Sequence, residues 1–427
     1  MNNLDLSTAD KVRKTLKKRY RKDRLFAIYG AASILFCFLF LGIFLMGIFK
    51  MGWHAFLETR VNLPVYFDPQ FVSPYNIEES DYETVVAKAL LAKFPDVTTR
   101  QEKKELSKFL SPKAVDVVRN FAKAHPEVVG SSVELWLPVG DGLDMLKKGV
   151  ISKENALQAG LVTEKNLERF ERLAEEKKVA VNFNWHFFTS GDSNAPSTAG
   201  IGGAIVGSFY LVLVTITLSF PLGAGAAIYL EECAQRSKFR DFIDININNL
   251  TAVPSIIFGL IGLAIFLNFF HLPRSSSLVG GLVLSLMTIP VIVIASKTAL
   301  SSVPPSIREA ALSVGASKIQ TVFHHVVPLA LPGMLTGAIV GMARAMGETA
   351  PLLMVGMVAF IVDIPKRLTD PASALPVQIY LWSDQPERAF ANKAAAAIIV
   401  LLFFMILMNS FAIWLRKRYE KKYGERG

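Results

Sequence analysis

The chain has 427 residues, 52% of them hydrophobic, and its 46 lysines and arginines against 36 acidic residues leave a formal charge of +10. That apolar share, with a positive mean hydropathy, is too high for an ordinary soluble protein. The two cysteines, Cys37 and Cys233, exclude a disulfide framework and a cysteine-rich metal site.

The chain opens on a basic flank, Lys11–Arg24, followed by the apolar run Ala27–Phe49. About 20 apolar residues suffice to cross a hydrocarbon core roughly 30 Å thick. The run is too long for a signal peptide and lacks a small-residue cleavage site, so it is expected to be a retained anchor. Basic flanks stay in the cytoplasm, and the basic tail Arg416–Arg426 places the C-terminus on the same side. Both flanks border an apolar run directly. They therefore read as topology signals and contacts to anionic membrane lipids, not as nucleic-acid binding.

Lys50–Ala199 is then expected outside the cytoplasm. The pattern predicts helices at Tyr82–Phe94, Pro112–His125 and Thr163–Lys177 and strands at Ser132–Leu137 and Val179–Phe187. That makes a small α+β insert. Its histidines (His54, His125, His186) are scattered and suggest no metal or catalytic set. Ser190–Gly203 is the linker back into the membrane.

Five more apolar runs follow: Ile201–Leu230, Leu250–Phe270, Leu278–Ser296, Leu331–Val362 and Ala394–Leu415. The expected fold class is thus an all-α polytopic membrane protein of six transmembrane helices, with a soluble α+β insert between the first two. The expected division is a basic N-terminus (1–26), an anchor (27–49), the insert (50–199), a membrane domain (200–415) and a basic tail (416–427). Gly203-x-x-x-Gly207 and Gly337-x-x-x-Gly341 permit close helix contact, and Lys297 is expected to snorkel to the interface.

Two constellations carry function. Arg308-Glu309-Ala310-Ala311, Gly315-Ala316 and Val326-Val327-Pro328 lie on a polar loop, about 304–328, between two spans. They predict a short helix over Ser306–Ser313, a turn at Gly315 where φ > 0 is free, and a second helix through Lys318–His325 that stops near Pro328. Such a knob can dock on a soluble partner and transmit force to the spans. Within the next run stand Arg344 and Glu348, four residues apart and so expected on one helical face. Charge inside a bilayer is expensive, at least about 2.5–3.5 kcal/mol for arginine on insertion scales, and usually faces a pathway or a partner. Arg344 offers a planar fork to an oxyanion, while Glu348 can accept a hydrogen bond from the protonated oxygen that phosphate carries and sulfate lacks. A structural ion pair is the alternative. Gly347 and Pro351 bracket Glu348 and predict local unwinding.

The chain contains no G-x-x-x-x-G-K-[ST], so its energy must come from another subunit. It reads as a transport subunit, not an enzyme, with no cofactor and no metal called for.

The loop pattern, with Ile228-Tyr229-Leu230-Glu231-Glu232, Ala252-Val253-Pro254-Ser255-Ile256, Ala343-Arg344 to Leu353 and Leu375-Pro376-Val377, resembles the importer-type ABC transporter permeases, and among them the PstA type of phosphate permease. The likeness covers the anchor and about Gly200 to the C-terminus, with an extended insert. It implies an inner-membrane subunit that forms a phosphate pathway with a second permease (PstC-like). It further implies a dimer of ATP-binding subunits (PstB-like) below and an extracytoplasmic phosphate-binding protein (PstS-like) above. Arg344, Glu348 and Thr349 would line the pathway, with Gly347 and Pro351 as the hinge. Arg308, Glu309, Ala310, Ala311 and Gly315 would form the ATPase coupling loop. His325 departs from the usual aliphatic residue. A permease for another oxyanion such as sulfate or molybdate, or a membrane scaffold or sensor, are the competing readings.

Overall fold

A helix satisfies its own backbone donors and acceptors, so long apolar runs bound for lipid fold as helices. The computed structural model describes residues 8–73, 77–358 and 360–424. Residues 1–7 and 425–427, the ends of the two basic flanks, lie outside the described residues. The chain forms two units, Met1–Met51 and Gly52–Gly427. The first holds all but the last residue of one helix, α1 (Thr8–Gly52).

The second unit begins with the insert. In chain order it comprises β1 (Leu57–Tyr66), α2 (Tyr82–Lys93), α3 (Arg100–Ser107), α4 (Lys113–Ala124) and β2 (Ser132–Pro138). Then come α5 (Asp141–Lys147), α6 (Lys153–Gln158), α7 (Glu164–Glu175), β3 (Val179–Phe183) and α8 (His186–Thr189). Asp81, Thr99, Ser152 and Thr163 start their helices, each side chain accepting the backbone N–H of the third residue of the first turn. The sheet is antiparallel in the order β2–β1–β3, with Val61 opposite both Leu137 and Val179. Val61, Leu63 and Val65 point into a core with Phe109, Leu137 and Leu173.

The central strand β1 goes beyond the two strands expected, because Pro64 argues against a mid-sheet position. The register explains how it fits. Asn62 donates its N–H to Lys178 on the β3 side, but β3 pairs only with Leu57–Val61. The nitrogen of Pro64 faces the same side beyond the end of β3, where no donor is needed. The expected strand Val179–Phe187 stops at Phe183, and α8 follows. A buried pair, Lys113 with Glu58, ties α4 to β1. Burial pushes the Glu58 carboxyl up, but Lys113 and Arg60 outweigh it and hold it below the usual range.

The membrane part follows. It comprises α9 (Gly202–Ile228), α10 (Lys238–Thr251), α11 (Ser255–Gly262), α12 (Ser277–Ser301), α13 (Pro305–Ser313) and α14 (Lys318–Thr321). It ends with α15 (Val327–Gly347), α16 (Ala350–Met354), α17 (Leu375–Ser383) and α18 (Arg388–Gly424). Among the described residues, five helical stretches are long and apolar enough to cross a membrane, six if a bent pair counts as one span.

That bent pair corrects the expected third span, Leu250–Phe270. The chain turns by 103° between α10 and the stretch that begins with α11. Pro254 has no N–H to donate and pushes Val253 out of helical geometry, so the helix stops there. The expected fifth span, Leu331–Val362, is corrected likewise: its helix ends at Gly347. Lys297 does not reach for the interface alone; it pairs with Asp244 of α10 at 2.6 Å.

The spans pack through small residues. A Cβ on Gly333 or Gly341 of α15 would lie 2.6 Å from Ala299 and 2.8 Å from Thr288 of α12, and one on Gly337 closer still to Ala295. Glycine at this spacing lets the two backbones approach.

Candidate substrate pathway and coupling loop

The end of α15 is shaped by its sequence. Gly347 is a poor helix former and Pro351 cannot donate to a preceding turn. Glu348 takes an extended conformation, φ −83° and ψ 122°. Thr349 precedes α16, and its carbonyl accepts the N–H groups of Leu352 and Leu353. Arg344 and Glu348 therefore do not share the face of one continuous helix, as the spacing predicted; they face each other across a break. Their ion pair is long, Nε to Oε1 3.8 Å, with the side chains 43% and 22% exposed. Among the described residues neither side chain makes a hydrogen bond of the usual length, so the fork retains its donors.

The rest of the helix end is packed. Ala345 and Met346 sit in a core with Leu211 and Val212 of α9, Met287 of α12 and Leu352 of α16. Val340, Arg344 and Gly347 form the exposed stripe of the same helix. Gly259 of α11 closes on Pro351 of α16, 2.8 Å from a Cβ placed on it. The halves that follow the two breaks thus pack on each other.

The loop is built as a capped knob. At the end of α13, Ala316 donates its N–H to Ala311 and Gly315 to Leu312, with Gly315 at φ +89°. This six-to-one and five-to-two pairing needs a left-handed residue at Gly315. Ser317 and Gln320 then cap the start of α14 reciprocally. The second helix does not stop near Pro328. It passes through a π-helical turn at Val322–Val326 into α15, and Pro328 occupies the first turn of α15, which follows that bulge.

The predicted loop residues divide. Arg308 turns inward. Its Nη2 donates to Glu232 Oε1 at 2.5 Å and to the Leu300 carbonyl, its Nε to Glu232 Oε2 at 3.2 Å, and its Nη1 to the Val303 carbonyl. It ties the knob to the ends of α9 and α12. Ala311 is buried, while Glu309, Ala310 and Gly315 are exposed. Sequence reasoning did not single out the tip: Val314 is 85% and Ile319 69% exposed, beside Leu312 and Phe323. Apolar side chains in a polar loop were the signal available. His324 and His325 are exposed next to them.

Helices broken beside a charged pair, and a capped knob between two spans, are the parts of a membrane permease. Comparison with known proteins agrees. The binding-protein-dependent transport system inner membrane component family matches residues 219–424, and a domain of unknown function (DUF3333) matches residues 13–156. The probable ABC transporter permease protein YqgI of Bacillus subtilis (strain 168) is 32% identical over 255 residues, 56% of this chain and 85% of its own length. The phosphate transport system permease protein PstA of Haemophilus influenzae is 30% identical over 224 residues, 52% of this chain and 78% of its own. PstA of Yersinia pestis is 31% identical over 228 residues, 52% and 76%. The inward-facing MetNI methionine ABC transporter is 16% identical, with a TM-score of 0.42 over 51% of this chain and 97% of its own, a likeness too remote to place any residue. The chain belongs to the permease family of binding-protein-dependent ABC importers, the family that includes the PstA phosphate transport permeases.

Proposed function

We propose that this chain is the membrane-spanning subunit of an ATP-driven inorganic phosphate importer. The observation that carries the reading is the Arg344–Glu348 pair, loose, half open and set beside a break in a span. A fork with free donors suits an oxyanion, and the neighbouring carboxylate accepts a hydrogen bond from the protonated oxygen of a hydrogen phosphate. Thr349 adds a hydroxyl at the same break, and Gly347 and Pro351 let the chain there change shape. The names of the PstA relatives support phosphate as the solute.

In this reading the membrane domain spans about 200–415 and lines the pathway with a second permease. The knob at Glu309–Gly315 docks on one copy of a dimeric ATPase, and a soluble binding protein delivers phosphate from outside. Both termini and the knob face the cytoplasm, and the insert at 50–199 faces outward; the basic flanks support this orientation.

Expressed with a second permease and an ATPase, the chain is expected to support ATP-dependent uptake of labelled phosphate, competed by arsenate and not by sulfate. Equal competition by sulfate would transfer the assignment to another oxyanion. Orientation is tested separately after replacing the exposed Cys37 and Cys233. A cysteine at Lys165 labels from outside spheroplasts and one at Lys318 does not; the reverse pattern would turn the topology over and remove the knob from reach of any ATPase.

A further inference from the structure

β3 is an edge strand without the usual protection. Exposed edges in water are normally blunted by charged side chains, yet no Lys, Arg, Asp or Glu occurs from Val179 to Gly191. Its partner β1 covers one side only. Val181, Phe183 and the following Trp185 are exposed, Trp185 by 70%, and Trp53 at the start of the insert is 57% exposed. These rings form one ladder. Trp53 meets Phe56 edge-on at 6.1 Å, Phe56 stacks on Phe188 at 5.8 Å, Phe188 stacks on Phe183 at 5.9 Å, and Phe183 meets Trp185 at 4.8 Å.

The ladder has a definite level. Phe56 and Phe187 pack into a core with Ala199, Ile201 and Ala204, where α9 begins, and with Ala394, Ala396 and Ala397, where the apolar part of α18 begins. Gly52, the residue before Trp53, closes on the backbone of Ala395 and Ala396. The exposed rings thus stand level with the starts of two apolar spans. Tryptophan concentrates at the water–lipid boundary because its ring is apolar and its N–H is wet.

We infer that β3 and the turn carrying Trp185 lie against the bilayer headgroups, docking the insert to the lipid surface through Trp53, Phe183 and Trp185. The inference rests on α9 and α18 crossing the membrane, and not on phosphate being the solute. The stretch has no cations, so the contact is to the interface itself and does not depend on anionic lipid. A strand or ring face of a protein partner is the competing occupant.

The test uses the full chain in phosphatidylcholine vesicles, with Cys37 and Cys233 replaced and an environment-sensitive fluorophore on Trp185→Cys. Nitroxide lipids labelled at the headgroup or high on the acyl chain are expected to quench it several times more strongly than the same fluorophore on Trp136→Cys, which sits on the far strand β2. Adding phosphatidylglycerol should change nothing. In a second measurement the natural tryptophan emission loses its brominated-lipid quenching in part when Trp185 becomes Phe. Quenching at 185 no greater than at 136, or protection only after a second permease is added, would overturn the lipid contact and favour a protein partner.

Discussion

Arg344→Gln abolishes phosphate uptake while the chain still inserts and assembles. Glutamine keeps a polar side chain and removes the charge and the fork. Two charge-assisted hydrogen bonds to an oxyanion at about 1.5–3 kcal/mol each amount to at least about 3 kcal/mol, more than a hundredfold in uptake at limiting phosphate. Arg344→Lys restores only part, since an ammonium keeps charge without bidentate geometry. The long Nε–Oε1 separation of 3.8 Å decides how the control should read. If the arginine merely neutralised Glu348, then Arg344→Gln with Glu348→Gln would leave no unpaired charge and would transport normally. With Arg344 on the substrate, the double variant assembles and stays inactive. Measured uptake in vesicles, beside the yield of the co-purified complex, separates the two; full uptake by the double variant would leave the pair as a structural bridge.

What the sequence made legible was local. Thr163 followed by an amphipathic run marks α7, and Thr163 does cap it. Gly315 marks the turn of the knob because only its left-handed φ closes that end. Gly347 and Pro351 mark the break around Glu348, since each weakens the same turn. What stayed hidden depends on distant partners or on direction. Pro64 hid β1, because whether proline is tolerated depends on where β3 ends. Hydropathy sums over Leu250–Phe270 without regard to angle, so the 103° bend at Pro254 is invisible to it. Arg308 read as a docking residue because Glu232, its partner, lies 76 residues earlier. Lys297 and Asp244 are a second case of the same kind.

The division within the knob leads to the other large effect. Val314→Asp combined with Ile319→Asp is expected to abolish co-purification of the ATPase and all transport, with the chain's own thermal stability unchanged. Both side chains are exposed, so the free chain loses no packing. Burying two such residues in a partner's cleft contributes about 3 kcal/mol or more, so removing them and adding desolvated charge weakens docking at least about a hundredfold. Glu309→Lys, exposed on the same knob, weakens docking less, because a rim charge is partly screened. Arg308→Met behaves differently. It leaves Glu232, whose side chain is only 8% exposed, without its cation, and breaking such a pair costs about 3–5 kcal/mol. That variant melts at a lower temperature and loses docking through collapse of the loop base, and pairing it with Glu232→Met recovers stability. Retained ATPase at wild-type yield in the Val314→Asp, Ile319→Asp variant would move the docking surface off the tip. A lowered melting temperature in that variant would instead show that the tip is held within the chain.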